Sequence, residues 1–128
     1  MSSYVALVTL LSVVLMLGCM GAVGLARGRH GIQAPATTGH PDFERIYRVQ
    51  MNTLEASVMF LPALWVAGAF GNATWAASFG GVWLFGRVIY AVTYARDAKK
   101  RGAGFLIGFL ALIALLAQGL WAVGASLL

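Results

Sequence analysis

The sequence predicts an all-α fold: an integral membrane four-helix bundle. Three observations predict it. Of the 128 residues, 60% are hydrophobic, and the mean hydropathy is +0.82. Only 10% are charged, against about 25% in ordinary soluble domains, so a soluble core of this size has no use for the apolar surface. The apolar residues also gather into four continuous runs without the period-two alternation of a membrane β-barrel. At about 1.5 Å of rise per residue, each run is long enough as a helix to cross roughly 30 Å of hydrocarbon.

The first segment runs from about Tyr4 to Ala26 and carries no charge. It lacks a basic leader region and an obvious cleavage site, so it is expected to be retained rather than removed as a signal peptide. The single cysteine, Cys19, lies within it. One cysteine forms no intrachain disulfide, and packing is the reading of Cys19. A loop from Arg27 to about Asp42 follows, made irregular by Pro35, Gly39 and Pro41. The second segment spans about Phe43 to Phe70. Its first three turns are polar on one side, and Pro62 is expected to kink it by removing a backbone donor. "GNAT" is a short uncharged turn. The third segment runs from about Thr74 through Tyr94 and on to Lys99, and the glycines of "GGVWLFG" within it allow close helix packing. The fourth runs from about Ala103 to Leu127, with Gln118 its only strongly polar side chain. Trp65, Trp75, Trp83 and Trp121 read as packing or interface residues.

The net charge of +5 and pI of about 10 raise nucleic acid as a partner in a soluble protein. Here the cations lie mostly at segment ends, which makes them membrane topology determinants, and no nucleic-acid partner is expected. Arg27 and Arg29 sit in the first loop, with Arg45 near its far end, and Arg96, Lys99, Lys100 and Arg101 follow the third segment. The "GNAT" turn and both ends of the sequence have no lysine or arginine. The positive-inside rule then places both basic loops in the cytoplasm and both termini on the opposite side.

Against this background "FERIYRVQMNTLEAS" is unusually polar. Arg45, Arg48, Asn52 and Glu55 follow one another at steps of 3, 4 and 3, which puts them on one helix face. Gln50 points about 200° away from Arg48, toward another helix or subunit. Arg87, Tyr90, Tyr94 and Arg101 form a second stripe if the third helix continues through Arg101. Structural readings exist for each group. Arg45 caps the interface or pairs with Glu44. Arg96, Lys99 and Lys100 snorkel or are solvated. Tyr90 and Tyr94 are belt aromatics, and Glu55 forms an ion pair with Arg48 or Arg87. The functional reading joins both stripes into one pocket. Arginines offer forked donors to carboxylates, Asn52 and Gln50 both donate and accept, and Glu55 accepts from an ammonium. That inventory suits a small zwitterionic, multiply carboxylated ligand, and glutathione is one candidate among several. No other chemistry is signalled: His30 and His40 stand alone in a loop without zinc spacing, and there is neither a P-loop nor a dinucleotide fingerprint.

"PATTGHPDFERIYRVQMNTLEASVMFLPALWVAGAF" resembles the signature region of the MAPEG family, membrane-associated proteins in eicosanoid and glutathione metabolism. "WLFGRVIYAVTYARDAKKR" resembles that family's third helix, and the match spans about Leu25 to Arg101. The resemblance implies a homotrimer with glutathione bound between neighbouring subunits near the cytoplasmic side. It implies that Arg48, Asn52 and Glu55 grip glutathione from one subunit while Tyr90 and Tyr94 close the pocket. Arg27 and Gln50 would reach in from the adjacent subunit, Arg87 would lie deeper, and Arg101 would act on the thiol. A thiol has an ordinary pKa of about 8.5, and a permanently charged guanidinium beside it favours the nucleophilic thiolate. The implied activity is conjugation of glutathione to lipophilic electrophiles or reduction of lipid hydroperoxides. Members that act on eicosanoid epoxides carry a tyrosine directly after the glutamate and a second arginine after the position of Arg27. This chain has Ala56 and Gly28 there, which points to a broader transferase or peroxidase. Two alternatives remain: a non-catalytic member that binds lipid and partners, and a small four-helix transporter with Glu55 as its membrane-embedded acid.

Overall fold

The structure is a computed structural model describing residues Met1–Leu128. Four long helices make it up: α1 (Ser3–His30), α2 (Pro41–Phe70), α3 (Ala73–Arg96) and α4 (Gly102–Leu127), with a 3-10 turn at Ala98–Lys100 before α4. There are no strands. All four helical segments are long and apolar enough to cross a membrane.

Local chemistry sets the helix ends. Ser2 Oγ accepts the Tyr4 N–H at the start of α1, and Gly31 closes that helix in a left-handed conformation (φ 65°) that suits glycine. The helix runs past Ala26 through Arg27 and Arg29 to His30, further than expected from the apolar run. Cations in a last turn are favoured by the carbonyl end of the helix dipole, so charge does not stop it. Pro41 opens α2 with the missing N–H where none is needed, and Asp42 and Glu44 occupy its first turn. Helix α2 runs unbroken through Pro62.

The expected extension of α3 to Lys99 does not occur. Asp97 takes an extended conformation (φ −155°, ψ 117°), and its carboxylate accepts the Lys99 N–H at 3.0 Å. An aspartate that bonds two residues ahead favours a turn over a helix interior. Arg101 therefore does not continue the α3 face; it is the residue from which α4 starts.

Consecutive helices are antiparallel. At the basic end, Arg45 Nε donates to the Ala95 carbonyl at 3.2 Å, tying the start of α2 to the end of α3. Toward the other end, Trp65 Nε1 donates to Thr9 Oγ1 at 3.0 Å and Gln118 Nε2 to the Asn72 carbonyl at 2.8 Å. Between them Phe60 and Trp83 stack at 3.8 Å with an interplanar angle of 2°. Leu64, Ala67, Ala76, Ala111 and Leu115 fill the space around that stack. In a bilayer such packing works by dispersion and close approach, since lipid is as apolar as the core. Gly104 and Gly86 supply the closest approaches: a Cβ at Gly104 would fall on the Tyr90 backbone, and one at Gly86 would stand 2.6 Å from the Gly108 nitrogen. Gly81 faces open space instead, so only part of the glycine run serves packing. The outer surface carries exposed Leu, Val, Phe and Trp side chains, as a lipid-facing wall should.

Candidate functional site

Helix α2 presents its polar stripe outward. Arg48 and Glu55 are two turns apart, their side chains are 52% and 55% exposed, and Arg48 Nη1 stands 3.6 Å from Glu55 Oε1. This settles which arginine Glu55 meets: Arg48, not Arg87. Asn52 lies between them, half-buried, while Thr53 turns fully inward. Arg45, expected to cap or to pair with Glu44, pairs instead with Asp42, one turn earlier on its own helix.

Arg87 meets this stripe from α3. It is 3% exposed and has no carboxylate partner. A buried charge is costly unless hydrogen-bonded, and Arg87 finds neutral acceptors. Its Nη2 donates to Asn52 Oδ1 at 2.9 Å and to Thr53 Oγ1 at 2.8 Å. Its guanidinium carbon lies 4.1 Å from the centre of the Tyr90 ring, a favourable cation–π distance. Nε is buried without a partner. Thr53 is a residue the sequence reading missed. The available signal was the arginine itself: a charge in an apolar helix with no facing acid must find hydroxyl or amide acceptors.

The contacts continue to the chain's basic end. Tyr90 and Tyr94 rings lie 5.4 Å apart, and the Arg101 guanidinium lies 5.6 Å from the Tyr94 ring centre. Arg101 thus joins the stripe from α4 although it left the face of α3. Asn52, Arg87, Tyr90, Tyr94 and Arg101 form one connected series across three helices. Tyr90 is buried and packs with Cys19 and Val49, while Tyr94 is half-buried and Arg101 exposed.

Two of the expected site residues, Arg27 and Gln50, stand apart from both this series and the Arg48–Glu55 pair. Arg27 Nη1 donates to the Ala36 carbonyl at 2.7 Å, and its guanidinium lies 4.9 Å from the Phe43 ring centre. It is therefore held against the α1–α2 loop. Gln50 is half-buried and makes no side-chain hydrogen bond within the chain. The histidines are not solitary, contrary to expectation: His30 ends α1, His40 precedes α2, and their rings stack at 3.9 Å. Their nitrogens and the Asp42 carboxylate lie within 4.8 Å of one another. His40 Nδ1, however, already accepts the Asp42 N–H at 3.1 Å, and the Asp42 carboxylate already holds Arg45. The group is accounted for as a helix cap.

The main grooves of the single chain lie elsewhere and are mostly apolar, the largest, of about 490 Å³, lying between α1 and α3 along Tyr4, Leu7, Val8, Thr74, Ala77 and Ser78. One of about 410 Å³ runs between α2 and α4 along Met59, Pro62, Leu115 and Leu120. Another of about 290 Å³ lies between α1, α2 and α3 along Leu15, Cys19, Val49 and Ala95. The Arg48–Asn52–Glu55 stripe lines none of these. It forms an open flank, bordered by exposed Leu54, Val58 and Met59.

Comparison with known proteins gives an independent view. The sequence profile of the MAPEG family matches residues 5–121. An uncharacterized protein of Synechocystis sp. is 45% identical over 118 residues, covering 92% of this chain and 86% of that protein. Microsomal glutathione S-transferase 2 of Homo sapiens is 43% identical over 96 residues, covering 73% of this chain and 65% of that protein, just under two thirds of its length. Leukotriene C4 synthase of Cavia porcellus is 45% identical over 112 residues, covering 88% of this chain and 75% of that protein.

Proposed function

We propose a function on one premise: the chain belongs to the MAPEG family. It is a multi-pass integral membrane protein, and we infer that it is a glutathione transferase acting on lipophilic electrophiles. The observation that carries this reading is the connected polar series on α2, α3 and α4, which ends at Arg101. The names of the similar transferase and synthase point the same way.

The donor set fits the substrate. Arg48 and Glu55 pair loosely at 3.6 Å on an exposed face, and a zwitterion can replace each partner: its carboxylate takes the guanidinium, its ammonium the Glu55 carboxylate. Asn52 and Tyr94 border the same face. Arg101 stands at the basic end as a fixed positive charge that favours thiolate over thiol. The thiolate sulfur then forms a bond to an electrophilic carbon, whose leaving group or epoxide oxygen departs with the electron pair. A lipid hydroperoxide is a second class of electrophile open to the same thiolate: the sulfur attacks the terminal peroxide oxygen, the O–O bond breaks as the lipid alkoxide leaves and takes up a proton, and a second glutathione thiol displaces water from the resulting sulfenic acid to give the disulfide.

An open flank holds a ligand only when something covers it. Charged groups exposed on a membrane helix are costly against lipid. A neighbouring copy supplies the cover in a homotrimer, with its Arg27 and Gln50 directed at the ligand from the other side. The basic end faces the cytoplasm and both termini the opposite side.

Turnover tests this reading. The purified protein should conjugate glutathione to a chromogenic aryl halide, and Arg101→Ala should lower the rate by about 100-fold or more, the scale of losing a group that stabilises a developing or bound anion. Wild-type protein no faster than Arg101→Ala contradicts the transferase reading and favours a non-catalytic lipid-binding member.

A further inference from the structure

Arg87, expected deeper in the glutathione site, is 3% exposed and stands behind Asn52. We infer that Arg87 and Thr53 form a positioning device that fixes the Asn52 amide so that it offers glutathione donors only. The inference rests on the glutathione reading above.

The argument begins with the polarity of the amide. Arginine has five N–H donors and no acceptor, so the Asn52 atom facing Arg87 Nη2 at 2.9 Å must be the oxygen. The arginine thus removes the usual ambiguity of an asparagine side chain. With Oδ1 engaged on the buried side, the Nδ2 amino group is left for the open flank. It meets acceptors there, a carboxylate or a peptide carbonyl, and has nothing to offer an ammonium or hydroxyl proton. Glu55 is the only acceptor of comparable strength on that stripe, so the ammonium goes to Glu55 and the acceptor atoms to Arg48 and Asn52.

Thr53 keeps the arginine in place. Its hydroxyl accepts from the same Nη2 at 2.8 Å, and the Tyr90 ring lies 4.1 Å beneath the guanidinium. Acceptors from α2 and a ring from α3 therefore hold the planar group together. A lysine keeps the charge but has no plane to lay on the ring and no fixed fork between the two acceptors. Thr53 is fully buried and cannot touch a ligand on the flank. Its hydroxyl therefore acts on glutathione through Arg87, the side chain that donates to it.

Thr53→Val is the decisive variant, because it removes the hydroxyl at nearly constant volume. Measured with saturating electrophile, its KM for glutathione should rise about three- to tenfold, the worth of one hydrogen bond, while kcat stays within about twofold of wild type. Thr53→Ser should restore the wild-type KM. In an Asn52→Ala background Thr53→Val should raise KM no further, since the path through Asn52 is already cut. Should Thr53→Val fail to accumulate, Arg87→Lys in the same two backgrounds reads the same coupling. An unchanged KM in Thr53→Val or Arg87→Lys overturns the inference, as does an equal rise with and without Asn52. Wild-type protein that shows no glutathione binding overturns the functional reading and this inference together, an outcome distinct from both.

Discussion

Glu55 lies fourteen residues beyond Pro41 on α2, roughly 21 Å along the helix axis. It is a carboxylate deep in an apolar helix, half-exposed, with a loose arginine partner at 3.6 Å. A structural ion pair in such a place is expected to be close and covered; an open one is suited to exchange partners with a ligand. Glu55→Gln should therefore lower glutathione affinity about tenfold, the scale of a charge-assisted hydrogen bond lost to an ammonium, as measured by calorimetric titration. Proton-driven efflux in proteoliposomes that vanishes in this variant, with no dependence on glutathione, would support a carrier instead. The helical steps from Arg48 to Glu55 made this residue legible from sequence. Thr53 was not legible, because its role depends on a side chain reaching across from α3. Arg87 was visible as a charge, but its distance from the open face depends on packing that spacing does not record.

At the scale of elements, the α3–α4 junction decides where Arg101 stands. Helical continuity would carry it on the face of Tyr90 and Tyr94, but Asp97 ends α3 three residues short of the expected Lys99. The arginine returns to the stripe because the next helix starts there and packs close to α3. Gly86 permits that packing, since any side chain would meet the Gly108 backbone nitrogen. Gly86→Leu should push α3 and α4 apart and destabilise the protein by about 1–3 kcal/mol or more, the usual cost of overpacking. Thermal melting in detergent should show a lowered midpoint. An unchanged midpoint would mean that the close approach carries no stability. Apolar run length placed all four helices, while the ends moved wherever caps and turns act: Arg27–His30 joined α1, and Asp97 cut α3 short.

At the scale of the whole molecule, eight of the nine cations and three of the four acids lie toward one end of the bundle, while Arg87 and Glu55 lie deeper along their helices. Composition and charge placement made the membrane bundle readable before any geometry, and the motif string made the family readable. Assembly left no comparable trace in one chain. The proposed assembly rests on two features: a polar flank that lines none of the main grooves, and Arg27 and Gln50 outside the connected series. Both features are accounted for if a neighbouring copy closes the site. Native mass spectrometry of the detergent-solubilised protein titrated with glutathione tests this most directly, because one spectrum reports copy number and ligand occupancy. The account predicts a three-chain assembly that takes up to three glutathione molecules, loses them in Arg48→Ala and keeps them in Lys99→Ala. A single chain that binds glutathione unaided, or equal loss in both variants, would contradict it.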